Sequence, residues 1–327
     1  MAAPEIRSIL LVKTSSLGDV IHNLPVATDI HRHLPGCRID WLVEESFEHI
    51  PRLHPAVSEV IPVAIRRWRK RLLARETWVE IARLRRKLAS RHYDLVLDSQ
   101  GLLKSALLAR LARGPHAGYA AAAAREPIAA RFYDTTYVIP RNVHAVERNR
   151  WLAAAAVGYP PEGRLNYGLR PPALDADWLP PGPYCVLLTA TSRDDKLWPE
   201  SDWLALGRWL HAQGLRALLP GGSAVERARA QRLASGIPDA IAVPPLGLPH
   251  LAALLSGARL AVGVDTGLTH LAAAVGTPTL AIYCASVPEL TGVLATTPYR
   301  NLGAAGAPPS LFLARTAAEA LLEEATP

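Results

Sequence analysis

The sequence predicts an α/β protein built from two doubly wound, mainly parallel sheets, one in each half of the chain. Three observations carry this. Short apolar runs recur with helix-spaced segments between them, the runs form two separate series, and seven prolines between residues 160 and 183 divide the series. With 327 residues, half of them hydrophobic, the chain can fill two cores.

The first run, residues 8 to 13, ends in Lys13-Thr14-Ser15-Ser16-Leu17-Gly18-Asp19-Val20, a small-residue turn opening into a helix through Ile21, Leu24, Val26 and Ala27. Strand-like runs follow at 38–43, 58–63 and 94–98. Trp78, Ile81, Ala82, Leu84 and Leu88 are spaced as one face of a helix between them. The Ala120 to Ala124 stretch reads as close-packed helix former. The proline-rich segment places the division between 1–170 and 171–327. Runs at 184–188, 215–219, 260–264 and 279–283 make the second series, again with helical patterns between. The C-terminal segment 312–326, clearest from Thr316 to Ala325, reads as a helix that packs back onto the first domain.

The formal charge of +7 is concentrated: Arg66 to Arg91 holds eleven basic residues against Glu76 and Glu80. Such a focus attracts an anionic partner, and nucleic acid, an anionic membrane face and a phosphorylated substrate all qualify. Cys37, Cys185 and Cys284 are far apart and form no C-x-x-C, which argues against a disulfide framework and a thiolate metal site. Glu5 and Arg7 flank an apolar run too short for a signal peptide, and no apolar stretch is long enough to span a bilayer, so a cytoplasmic location is expected.

Open parallel sheets hold polar ligands at the carboxyl ends of their strands. Asp19 sits at such a place, where it either caps its helix or does chemistry. Thr189 to Pro199 supplies Thr191, Ser192, Arg193 and Lys196 as donors for a diphosphate, or forms a polar loop whose charges pair with Asp194 and Asp195. In Gly263 to His270 a strand runs into a helix whose free N–H groups suit an anion; there Asp265 is either an N-cap or a partner for sugar hydroxyls, and His270 either packs or faces ligand. Ser223 and Glu226 after Gly221-Gly222 fit a capping box, while Glu226 also suits a ribose diol. G-x-G-x-x-G, G-x-x-x-x-G-K-[ST] and H-E-x-x-H are all absent. His31, His33, His49 and His54 have no ligand set around them, so no metal is expected.

Taken together, these residues resemble the family of ADP-heptose-dependent lipopolysaccharide heptosyltransferases, over nearly the whole chain. The motifs that carry the likeness are Lys13 to Val20, Ile61 to Lys70, Asp98 to Ser105, Ala124-Arg125-Glu126-Pro127, His144 to Arg148, Arg193 to Lys196, and Val264 to Gly267 with His270. The resemblance implies a GT-B fold of two Rossmann-like domains, 1–170 for the acceptor and 171–327 for the nucleotide sugar, facing across a cleft. It implies inverting transfer of L-glycero-D-manno-heptose from ADP-heptose to the Kdo of Kdo2-lipid A, without a metal or cofactor. Asp19 is then the base. Thr191, Ser192, Lys196, Glu226, Leu246, Asp265, Thr266, Gly267 and His270 form the donor pocket. Ser15, Ser16, Gly18, Arg66, Arg67, Arg69, Lys70, Gln100 and Arg125 meet the acceptor. A monomer touching the cytoplasmic face of the inner membrane is expected, since Trp68, Leu72, Leu73 and Trp78 interleave with the basic run. Residues Tyr283 to Pro288 depart from the family pattern, which leaves the hydroxyl at that edge of the donor site in question.

Two enzyme readings compete with this one: a later-acting heptosyltransferase and a sugar-nucleotide epimerase on the same fold. A nucleic-acid binder is disfavoured, because the basic segment lacks a zinc-finger or RNP pattern.

Overall fold

The computed structural model describes residues 6–325; Glu5 and position 326, both used above, lie outside the described residues. Contacts divide the chain into a first unit ending at Leu169 and a second beginning at Arg170. The first holds a six-stranded parallel sheet: β1 (Ser8–Val12), β2 (Arg38–Glu44), β3 (Val57–Val63), β4 (Leu95–Asp98), β5 (His116–Tyr119) and β6 (Thr135–Tyr137), in the order β3-β2-β1-β4-β5-β6. The second holds another: β7 (Tyr184–Leu188), β8 (Arg216–Leu219), β9 (Ile241–Ala242), β10 (Leu260–Val264), β11 (Thr279–Tyr283) and β12 (Tyr299–Gly303), in the order β12-β11-β10-β7-β8-β9.

The central strands are buried on both faces, as their unbroken apolar runs require. Strand order reverses between β1 and β4 in one sheet and between β7 and β10 in the other. Loops leaving the carboxyl ends of such a pair diverge and open a crevice. Val12 lies beside Leu42 and Asp98, so the turn after β1 abuts Ser99 and Gln100. In the second unit Gly263 lies beside Leu188, which brings the loops after β7 and β10 together.

All eight expected strands are present. The edge strands β6, β9 and β12, and β5 beside β6, escaped the reading because they are short or carry His, Gly, Thr and Asn. The expected helix after Asp19 is two, Leu17–Ile21 and Leu24–His33, since Pro25 cannot donate its backbone N–H within a continuous helix. In the helix Arg75–Ala89, Leu84 and Leu88 are buried but Trp78 is exposed, its indole N–H donating to the Leu72 carbonyl at 2.8 Å. Ala120 to Ala124 is a turn, not a helix: the amides of Ala123 and Ala124 both donate to the Ala120 carbonyl. Its small residues let the loop at Gly101 pass close by, where a Cβ would meet Tyr119 at 3.2 Å. In the C-terminal helix Leu311–Glu324, Ala314, Ala318 and Leu321 join the core of the second unit beside Trp203, Leu206 and Ile282.

Candidate active site

In the first unit the turn after β1 is built by buried polar groups. Gln100, on the loop after β4, brackets it: its Oε1 accepts from the amides of Thr14 and Ser15 at 2.9 and 3.2 Å, and its Nε2 donates to the Ser15 carbonyl at 2.6 Å. Gln100, expected to meet the acceptor, therefore shapes the turn. Below it, buried Lys13 donates to the Ser99 carbonyl at 2.7 Å and to Asn149 Oδ1 at 3.2 Å. Asn149 also accepts from the Tyr119 hydroxyl and donates to the His22 carbonyl, tying the helix of Asp19 to its neighbours. Lys13, though within a quoted motif, and Asn149 were not singled out. The signal for Asn149 is a polar residue among the apolar positions of the helix Ala145–Val157.

Asp19 both caps and does more. Ser16 is the N-cap, and Asp19 Oδ2 accepts the Ser16 amide at 2.8 Å. Its two oxygens also meet the Arg125 guanidinium, Oδ1 at 2.5 Å and Oδ2 at 3.2 Å. Burial by itself would raise the Asp19 carboxyl, but the charges of Lys13 and Arg125 overcome it and hold the group at about 2. Burial acts oppositely on Lys13, bringing its ammonium from 10.5 to about 7 against the attraction of Asp19.

A stability prediction follows from Lys13. Between pH 7 and 10.5 the unfolded chain binds more protons at this lysine than the folded one, so the group makes stability rise with pH across that window. Urea midpoints of the native protein and of Lys13→Met should therefore diverge, the native protein gaining a few kcal/mol on the variant between pH 7 and 10, on the order set by linkage. A pH-independent difference would contradict the assignment.

The basic segment divides. Arg67 is held by Glu45 and Glu80, at 3.0 and 2.9 Å, so its place as an acceptor contact is taken by carboxylates in this structure. Lys87 pairs with Glu59 at 2.7 Å and Arg91 with Asp40 at 2.9 Å. Arg66 lies over the Phe47 ring, while Arg69, Lys70 and Arg71 are exposed and form no ion pair among the described residues. Arg66, Arg67, Lys70 and Arg71 line a cavity of about 360 Å³ with Glu44, Glu45 and Ser46.

In the second unit Asp265 is the organising group. Thr266, not Asp265, is the N-cap of the helix Gly267–Ala274. The carboxylate accepts from Lys196 Nζ at 2.6 Å and from Ser286 Oγ at 2.5 Å, with His270 Nε2 at 3.9 Å. Burial would raise its carboxyl; hydrogen bonds from His270, Lys196 and Ser286 hold it well below the usual carboxylate range. Thr191 donates to the Asp265 carbonyl at 3.2 Å, joining the β7 loop to the β10 loop. Ser286, in the segment that departs from the family pattern, supplies a hydroxyl there after all. Arg193 pairs with Asp195, so the loop's charges pair internally at Arg193 and externally at Lys196.

Glu226 closes a capping box, its Oε2 accepting from the amides of Gly222 and Ser223 at 2.9 and 2.8 Å. Gly221 is required there, since a Cβ would fall 2.7 Å from the Arg227 amide. Ser192 is exposed and Leu246 half-buried, each in a loop leaving the carboxyl edge of the sheet. Among the described residues no group of three His, Cys, Asp or Glu side chains is placed to hold a metal ion.

What one unit offers is a carboxylate held by hydrogen bonds among cations at the carboxyl end of β1. The other offers an ammonium, a helix N-terminus and hydroxyls, suited to a diphosphate. The pattern of glycosyltransferase family 9 (heptosyltransferase) matches residues 81–308. Over 87% of this chain and 80% of the relative, the sequence is 50% identical to lipopolysaccharide heptosyltransferase 1 of Pseudomonas aeruginosa. It is 45% identical to the protein of that name from Salmonella typhimurium, over 87% of this chain and 90% of the relative. The fold matches the structure of E. coli heptosyltransferase WaaC with ADP at a TM-score of 0.88 and 41% identity, covering 98% of this chain and all of that one. With a GT-B fold and these relatives, the chain belongs to glycosyltransferase family 9, the heptosyltransferases.

Proposed function

We propose that this enzyme transfers L-glycero-D-manno-heptose from ADP-heptose to the Kdo of Kdo2-lipid A, with inversion, in building the lipopolysaccharide inner core. The observation that carries the reading is that each unit holds its own polar cluster at the carboxyl edge of its sheet: Asp19 in its cationic turn, and Lys196 fixed beside the Thr266 helix terminus by Asp265. The first unit binds the acceptor and the second the donor. Asp19 takes the proton of the acceptor hydroxyl as that oxygen attacks the anomeric carbon, and one carboxylate suffices for a single displacement. The departing ADP gains negative charge, which Lys196 and the amides at Thr266 and Gly267 stabilise. Thr191, Ser192, Glu226, Leu246 and His270 line the nucleotide sugar. Ser15, Ser16, Gly18 and Arg125 frame the reacting hydroxyl. No metal or cofactor takes part.

The phosphates of lipid A fall to Arg66, Arg69 and Lys70, and the enzyme acts as a monomer on the cytoplasmic face of the inner membrane. No helix among the described residues is long and apolar enough to cross a membrane. Leu73 is fully exposed and Leu72 half so, on a turn whose carbonyls are held by Thr77 and Trp78. Apolar tips rimmed by Arg69, Lys70, Arg71 and Arg75 suit an anionic bilayer surface. Leu73→Glu should weaken binding to phosphatidylglycerol vesicles about tenfold, the worth of one buried leucine; unchanged sedimentation with vesicles would remove this contact.

The test of function is a transfer assay in which ADP-heptose is offered Kdo2-lipid A and its heptosylated product as rival acceptors. Preference for Kdo2-lipid A supports the reading. Preference for the heptosylated acceptor identifies a later-acting enzyme, and a donor altered in its sugar without any acceptor identifies an epimerase.

A further inference from the structure

The Asp19 carboxylate is occupied in a way that a working base cannot be. Arg125 engages both oxygens, and the Ser16 amide and hydroxyl both donate to Oδ2, so four hydrogen bonds already reach the carboxylate. A general base needs a free oxygen within hydrogen-bond reach of the proton it removes. With Lys13 and Arg125 drawing its carboxyl down to about 2, Asp19 has little affinity for a proton.

Arg125 is only partly committed. Three of its five N–H groups have no protein acceptor among the described residues, and its side chain is 41% exposed. The turn that carries it is pinned by two further arginines, Arg141 Nη2 donating to the Ala124 carbonyl at 2.9 Å and Arg148 Nη2 to the Ala123 carbonyl at 2.6 Å. Lys104 reaches Ser15 Oγ at 3.1 Å. Charged and titratable groups around Asp19 are therefore Lys13 from the turn after β1, Lys104 from the helix Leu103–Ala109, Arg125 from its turn, Arg148 from the helix Ala145–Val157, Asp98 from β4 and Tyr119 from β5. Three cations, and Lys13 whose ammonium burial brings to about 7, surround two carboxyls. Of these, Asp98 is enclosed by Ser105, Tyr133 and the amides of Gln100 and Gly101, and burial raises its carboxyl. Such an excess favours a second anion beside Arg125.

We propose that Arg125 is a latch on Asp19: an anionic group of the acceptor, carboxylate or phosphate, takes the guanidinium in the same two-pronged geometry and thereby frees Asp19 to accept the acceptor hydroxyl's proton. The inference rests on Asp19 being the base. It explains how an enzyme holding an activated sugar avoids losing it to water. Hydrolysis would require Asp19 to take a proton from water while the water oxygen bonds to the anomeric carbon and ADP departs. While Arg125 stays on the carboxylate, that proton has no acceptor.

The test compares the native enzyme with Arg125→Gln and Arg125→Lys, each given ADP-heptose alone and then with Kdo2-lipid A. Arg125→Gln should release ADP without acceptor at least tenfold faster than the native enzyme. Its kcat/KM should also fall off in the mildly acidic range where the native profile is flat, because removing the guanidinium raises the Asp19 carboxyl. Arg125→Lys keeps the charge but not the paired geometry and should fall between. Kdo2-lipid A with its Kdo carboxyl esterified, and a dephosphorylated acceptor, show which anion acts: the one that releases the latch raises KM and lowers kcat when removed. Unchanged hydrolysis and an unchanged acid profile in Arg125→Gln, with only a raised acceptor KM, would overturn the latch and leave Arg125 a binding residue. Absence of heptose transfer by the native enzyme would refute the functional reading instead, and the latch with it.

Discussion

Asp19→Asn should lower turnover by a factor of about a hundred to ten thousand, the range typical of a lost general base, while ADP-heptose binding stays within about twofold. The variant is chosen to spare the fold. An asparagine oxygen still accepts the Ser16 amide, so the start of the helix Leu17–Ile21 keeps its cap. Donor affinity is expected to persist because the proposed donor residues all lie in the second unit, after Arg170. Calorimetric titration with the donor and a turnover assay on the same preparation check both halves of the expectation. Near-native turnover would remove Asp19 from the chemistry and leave it a capping residue paired with Arg125.

The second large effect is expected at Lys196. Its ammonium lies 2.6 Å from Asp265, in reach of the helix terminus at Thr266 where a departing diphosphate would lie. Stabilising charge that develops only as the bond to ADP breaks acts on the transition state more than on the bound donor. Lys196→Met should therefore lower kcat by about a hundred to a thousandfold, comparable to the loss of an oxyanion donor, with a smaller rise in donor KM. It also leaves Asp265 with only Ser286 and His270 as partners, so its carboxyl should rise. Lys196→Arg keeps a charge and should recover part of the loss. Steady-state kinetics with varied ADP-heptose separate the two parameters, and a change confined to KM would assign Lys196 to ground-state binding alone.

The parts of this enzyme that sequence made legible are those where one physical demand dominates. A strand buried on both faces must be an apolar run, so β1, β4, β7, β10 and β11 were readable; β9, two residues long, has no such signature. Small residues and a carboxylate after β1, and hydroxyls with a lysine after β7, stand out in the sequence because they follow apolar strands, at the carboxyl ends where parallel sheets hold polar ligands. What stayed hidden depends on partners distant in sequence. Nothing near Gln100 says that its amide will bracket Ser15, and nothing near Arg67 says that Glu45 and Glu80 will hold it. The Arg125 contact with Asp19 spans more than a hundred residues. Glu226 shows the reverse, since a capping box is local and was read correctly as one of its two options.

The central claim is a single displacement in which one carboxylate acts as base and no sugar becomes attached to the protein. The anomeric configuration of the product, read by NMR against that of the donor, tests this most directly. A linkage of the opposite configuration is predicted. Retention would require two displacements through a glycosyl-enzyme, for which Asp19 as a lone base has no place, and would contradict the account.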